Sequence, residues 1–353
     1  MSLNDVLAAL GVVLNGIPQA LLAATYGFAS VPTAFGFIVG ALACLFYGSA
    51  IPVSFQAETI ALAGMLGKNI RERLSIIFFS GILMSILGFT GILSVIVNFA
   101  GDNIINAMMA GVGIMLTKIS LTGLKESRVV TAASIFSAFI TYFFFGQNLV
   151  YTIVVCVMFS SLVANIFKID FGGGIVEDYK KIEIKKPVMN WNVVRGTLAL
   201  ACLTIGANIA FGNITASMTK GGYVADIDHL TVYSGLADAA SALFGGGPVE
   251  AIISATGAAP HPFTSGILMM VLMAIILISG MLPKISKYIP SHSVHGFLFI
   301  LGAAVTVPTN TAAAFSGGTP ESYVVAATAM AVTASNDPFI GLIAALIVKN
   351  ILF

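Results

Sequence analysis

Apolar runs long enough to cross a bilayer follow one another along nearly the whole chain, and one long polar stretch, Asp170 to Arg195, divides them. A spanning helix needs about 20 apolar residues. Inside lipid, every backbone polar group must find its partner within the protein. Together these requirements leave helices as the main element. Composition agrees, with 58% of 353 residues hydrophobic and only 9% charged, where soluble domains carry about 25% charged residues. The chain therefore reads as an all-α polytopic membrane protein, multi-pass in the cell membrane. Its first run follows Met1 without a basic lead, so it is read as a spanning helix and not as a signal peptide.

Runs near 5–28, 31–48, 50–67, 72–99, 102–122, 128–145, 148–168, 196–218, 229–245, 247–258, 263–283, 292–309, 319–334 and 338–352 predict about fourteen transmembrane segments. The third and tenth are too broken to be ordinary spans. Leu45 to Gly64 reads LFYGSAIPVSFQAETIALAG, and Leu243 to Gly257 reads LFGGGPVEAIISATG. Both pass from Leu-Phe through small residues to Pro-Val and then a carboxylate, Glu58 or Glu250. Each is expected to enter as a short strand at Pro52-Val53 or Pro248-Val249 and to continue as a half-helix. Paired interruptions of this kind are the strongest sequence pointer to a transporter binding site.

The polar stretch 169–195 reads as a solvated connector, with Glu177, Asp178 and Glu183 among Lys180, Lys181, Lys185 and Lys186. It separates a first repeat, 1–168, from a second, 196–353. Seven segments in each half is an odd number, so the halves must be inverted relative to each other, a 7+7 inverted repeat with core and gate domains drawn from both. Lys68, Arg71, Arg73, Lys125, Arg128, Lys168, the connector lysines, Lys284 and Lys287 fall on one side of this count, and Lys220 and Lys349 on the other. The positive-inside rule puts the first group in the cytoplasm and both termini outside. Net charge is +1, which suggests no nucleic-acid partner. Cys44, Cys156 and Cys202 sit in apolar runs and read as small core residues. No spacing among His229, His261, His292 and His295 makes a metal set, and no nucleotide loop, cofactor motif or nucleophile–base pair points to an enzyme.

With the halves and their broken helices in view, the chain resembles the nucleobase–ascorbate transporters, also called nucleobase:cation symporters, in their purine and uracil permease branches. Ser234 to Pro248 is similar to that family's ninth helix and the turn after it. Ala110-Gly-Val-Gly-Ile114 resembles its fifth helix, Ile289-Pro290 the start of its twelfth, and Pro52-Val53 the entry to its third. The resemblance implies a uracil-permease-like fold with paired strands in segments 3 and 10, transport of a nucleobase with a proton or cation, and a possible homodimer. The family's tenth-segment glutamate falls at Ser254, and its eighth-helix acid near Asn208 or Asn213.

The candidate site follows from these readings. Glu250 and Glu58 would accept from the substrate or carry a proton, since acids inside a membrane are costly and usually functional. Asn208, Asn213, Gln56 and Gln19 offer amide donors and acceptors. The strand backbone at Val249, the hydroxyls of Ser254 and Thr256, and the ring of Phe55 complete the set. Asp238 reads as a tie between helices, and Lys118 as a partner for Glu58 or a snorkelling side chain. The alternative substrate is a small anion on the same architecture. Glu250 beside the site and the lack of a core arginine argue against it.

Overall fold

The computed structural model describes residues 1–169, 182–219, 223–286 and 288–352. Residues 170–181 of the connector lie outside them. So do Glu177, Asp178, Lys180, Lys181, Lys220 and Lys287, and with them part of the charge asymmetry read from the sequence. Helices dominate. In order they are α1 (Leu3–Thr25), α2 (Ser30–Tyr47), α3 (Ala57–Leu66), α4 (Ile70–Thr90), α5 (Ile92–Ala100), α6 (Asp102–Glu126), α7 (Arg128–Phe144) and α8 (Leu149–Ile166). After the connector come α9 (Trp191–Ser217), α10 (Ile227–Leu243), α11 (Pro262–Ile278), α12 (Met281–Ser286), α13 (His295–Phe299), α14 (Val307–Ala314), α15 (Pro320–Ser335) and α16 (Pro338–Leu352). A π-helical stretch, Ile300–Thr306, joins α13 to α14. The strands are β1 (Val53–Ser54), between α2 and α3, and β2 (Glu250–Ala251), after α10.

Among the described residues, six helical stretches are long and apolar enough to cross a membrane by length and composition: Leu3–Thr25, Ser30–Tyr47, Ile70–Thr90, Asp102–Glu126, Trp191–Ser217 and Ser291–Ala314. The run predicted as one segment over 72–99 is two helices. Gly91 sits at φ +66 and closes α4 with a left-handed residue that a side chain would resist.

The chain forms two compact units, and each draws on sequence from both sides of the connector. One is Met1–Val95 with Val176–Ile285, and the other is Ile96–Ile175 with Ser286–Phe353. In the second unit Ile104 and Ala107 of α6 pack with Ala314, Val325, Ala326, Ala329 and Ala345. Small residues dominate there because helices in lipid associate by close packing and not by expelling water. In the first unit α4 crosses α10 on a face of Gly81, Ser85 and Gly88. The backbones of Gly81 and Gly235 touch with no space for a Cβ on either, and Ser85 Oγ donates to the Val232 carbonyl at 3.3 Å. Arg73, in the first turn of α4, ties down the loops that follow α1 and α3. It donates to the Tyr26 carbonyl at 2.7 Å and the Gly67 carbonyl at 3.1 Å, and lies 5.7 Å from the centre of the Tyr26 ring.

The two interrupted stretches differ in how they continue. After β1 the chain runs into the ten-residue helix α3. After β2 it makes only a single 3-10 turn, Ala255–Ala258, where a half-helix was predicted. Ala259 is extended, at ψ 158, because it precedes Pro260. A residue before proline is disfavoured in the α region.

Candidate functional site

β1 and β2 pair antiparallel within the first unit, Val53 opposite Ala251 and Ser54 opposite Glu250. The approach to β2 is a glycine turn. Gly245 adopts φ +100, Gly247 N–H donates to Thr33 Oγ1 at 2.9 Å, and Ser241 Oγ donates to the Gly247 carbonyl at 2.5 Å. The approach to β1 is fixed at the Ile51 carbonyl, which accepts from Tyr233 OH at 2.6 Å and from Cys44 Sγ at 3.3 Å.

Side chains alternate between the faces of a strand, and directly opposed residues share a face. One face of the pair carries Val53, Phe55, Val249 and Ala251 and packs on α2. Gly40 lies against Val53, Gly36 lies against Val249, and the Phe55 ring meets the Phe37 ring at 5.3 Å. Phe55 is therefore a core residue and not a stacking platform for a flat solute. The other face carries Ser54, Glu250 and, past the strand, Gln56. Gly16 of α1 lies beside this face: a Cβ there would clash with the Met273 side chain and stand in ordinary contact, 3.4 Å, with Ser54 Oγ. Gln19, one turn on from Gly16, is also buried.

Glu250 sits in the strand itself, and not at a half-helix N-terminus as the sequence suggested. Its Oε1 accepts from Thr204 Oγ1 of α9 at 2.7 Å. One turn along α9, Asn208 Nδ2 donates to Thr231 Oγ1 and Ser234 Oγ of α10, each at 3.2 Å. Asp238, one turn beyond Ser234, accepts the Val249 N–H at 2.6 Å, which is the tie between elements read from the sequence. Thr204 and Ser234 were missed, although each lies four residues from a predicted polar residue on the same helix face.

Four buried polar atoms near this network have no hydrogen-bond partner among the described residues: Ser54 Oγ, Gln56 Nε2, Asn208 Oδ1 and Glu250 Oε2. Gln56 is the N-cap residue of α3 yet makes no side-chain cap bond. Its Oε1 instead accepts from Thr59 Oγ1. Glu58 is buried in the first turn of α3, where the positive end of the helix dipole favours a carboxylate.

Other predicted residues stand apart. Asn213 is exposed on α9, because five residues from Asn208 is the opposite side of a helix. Lys118 is exposed on α6, so it is not a core cation. Ser254 Oγ caps the 3-10 turn, 2.6 Å from Thr256 Oγ1 and 3.3 Å from Thr256 N. We expect Ser254→Ala to lower stability by about 1 kcal/mol, the ordinary cost of a lost cap, with uptake kinetics unchanged. A large rise in KM at unchanged melting temperature would instead make Ser254 a substrate contact. His229, His261 and His292 pair with Asp226, Asp5 and Glu126, each at 2.9 Å.

Three solved structures are similar over almost the whole chain. The transmembrane domain of a cyanobacterium bicarbonate transporter, BicA, is 14% identical at TM-score 0.70, covering 98% of this chain and 97% of that one. The murine Slc26a9 anion transporter in the inward-facing state is 13% identical at TM-score 0.73, covering 99% and 68%. A further SLC26A9 structure is 13% identical at TM-score 0.71, covering 99% and 64%. The fold is that of a multi-pass membrane transporter. At this identity the likeness is one of fold, and the chain spans about two thirds of the length of the two SLC26A9 chains. No family model matches the sequence, and no curated protein does.

These neighbours overturn the resemblance to the nucleobase–ascorbate transporters. They are anion transporters, a different family on a similar architecture. The short patterns behind the resemblance are ones the architecture itself demands. Gly111 and Gly113 of the Ala110–Ile114 pattern sit against Thr333 and Val307 where helices cross. Pro52-Val53 marks only where a strand begins. By their descriptions all three neighbours are transporters, and what the likeness gives this chain is their fold.

Proposed function

We propose that this protein is a secondary transporter of a small inorganic or carboxylate anion, working by alternating access on a fourteen-segment, 7+7 inverted-repeat fold. The observation that carries the reading is the buried start of α3. Its N-cap side chain makes no cap bond, and Ser54 Oγ and Gln56 Nε2 beside it have no partner among the described residues. The first N–H groups of a helix have no partner within the helix. Together with the dipole they make an anion site, and a hydroxyl and an amide N–H add two more donors. Solved structures of anion transporters on the same fold support the substrate class.

The acids that argue against an anion have a place in this reading. Glu250 is engaged by Thr204 on the α9 side, and Asp238 by the backbone of Val249. In this reading they take up a coupling proton or cation, whose charge offsets their repulsion of the anion. Glu58 occupies the positive end of α3 between substrate visits.

The test is uptake of labelled bicarbonate, sulfate and chloride into proteoliposomes, with and without imposed proton and sodium gradients. The expected result is saturable uptake of one anion, competed by the others and unaffected by purine or pyrimidine bases. No saturable anion uptake by protein shown to be folded would sink the proposal.

A further inference from the structure

At one end of the first unit, where α1 and α10 finish and α4 begins, lies a groove of about 510 Å³. Phe244 and Gly245, on the approach to β2, belong to its lining, but no residue of the strand pair itself does. Three cations line it, Arg71, Lys185 and Lys186, facing an apolar wall that includes Leu74, Ile184 and Phe244. We propose that this groove binds the headgroup of an anionic phospholipid. The phosphate sits among the three cations, and the upper acyl chain lies along the apolar wall.

The lysines are not on a loose tail. Their segment is fastened to the unit through its backbone and through a buried acid. Lys185 N–H donates to the Leu243 carbonyl at 2.7 Å, and Val188 N–H donates to Ser75 Oγ at 2.9 Å. Arg71 Nε donates to the Lys186 carbonyl at 3.3 Å, which leaves its terminal nitrogens for the groove. Glu72, buried beneath, accepts from Asn190 Nδ2 at 3.0 Å and Asn192 Nδ2 at 2.9 Å. Among the described residues, the acid paired with a cation of the groove is Glu183, an exposed partner of Lys185 at 3.4 Å. A phosphodiester held among three cations can displace so solvated a contact.

Two features favour a lipid over a free phosphate ion. Most of the groove's lining is apolar, which an inorganic ion cannot use. The same segment also presents Ile184, Met189 and Trp191 outward, with Trp191 81% exposed. Exposed tryptophan beside basic residues is the pattern of a membrane–water interface. Anionic lipids concentrate in the cytoplasmic leaflet, and each basic residue near the surface contributes about fivefold in binding.

The experiment is native mass spectrometry of the full chain in detergent, titrated with phosphatidylglycerol or phosphatidylcholine, with melting temperature followed in parallel. Phosphatidylglycerol is expected to bind more tightly and to raise the melting temperature. Lys185→Gln/Lys186→Gln should weaken it roughly twenty-fivefold, and Lys284→Gln, a basic residue outside the groove, should leave it unchanged. If the double variant does not fold, Lys186→Gln alone is expected to lose about fivefold. Equal binding of the two lipids, an equal loss in Lys284→Gln, or protection by inorganic phosphate matching that of phosphatidylglycerol would each overturn the proposal.

Discussion

Gln56→Leu is expected to raise the KM for anion uptake by about 10- to 150-fold, the range of one lost hydrogen bond to a charged ligand. The reason lies in what Gln56 does and does not do. It stands at the N-cap of α3 without making a cap bond, and its Nε2 is buried without a partner. A residue so placed has a donor kept for something else, since buried polar groups without partners are otherwise costly. The fold loses only the contact from Thr59 Oγ1 to Gln56 Oε1, worth about 1 kcal/mol. A structural role therefore predicts a change in melting temperature, and a binding role predicts a change in KM. Initial uptake rates and the anion-induced rise in melting temperature separate the two. Wild-type KM in Gln56→Leu would remove the start of α3 as the anion site.

Gly81→Val is expected to prevent accumulation of folded protein. A Cβ at Gly81 meets the Gly235 carbonyl and the Ala239 backbone nitrogen, and not a movable side chain. Relief would require α4 and α10 to separate along the face that holds Ser85 and Val232 together. Overpacking alone costs about 1–3 kcal/mol, and moving backbone against backbone brings the total to about 4 kcal/mol or more. Asp238 rides on α10, so the tie to Val249 would move as well. The readout is the monodisperse fraction on size exclusion and the melting temperature of what survives. Gly11→Ala is the matched control, because nothing lies within 4 Å of a Cβ there, and it should be close to neutral. Normal yield and stability for Gly81→Val would mean that the helices do not meet on that face.

Both results bear on how much could be read before the structure. The bilayer made the helices legible, because it admits few alternatives for a backbone with no water. The two Pro-Val interruptions located the strands, because a break at depth needs a partner. The substrate class was not legible in the same way. The patterns that resembled nucleobase transporters are packing rules of a shared architecture, and packing does not report what is carried.

The sequence by itself determined a multi-pass membrane protein with two matched interruptions and buried acids beside them. Hydrophobic length and backbone satisfaction are local properties, so a single chain displays them. Only the tertiary structure decided which polar atoms are already partnered. Ser254 is consumed by a cap and Asn213 faces outward, whereas Ser54 and Gln56 retain unused donors at a buried helix start. That distinction depends on groups brought together from positions nearly two hundred residues apart, as when Ser54 meets Glu250 across the strand pair. No local pattern encodes it, because the partner that satisfies a donor is chosen by the register of the fold.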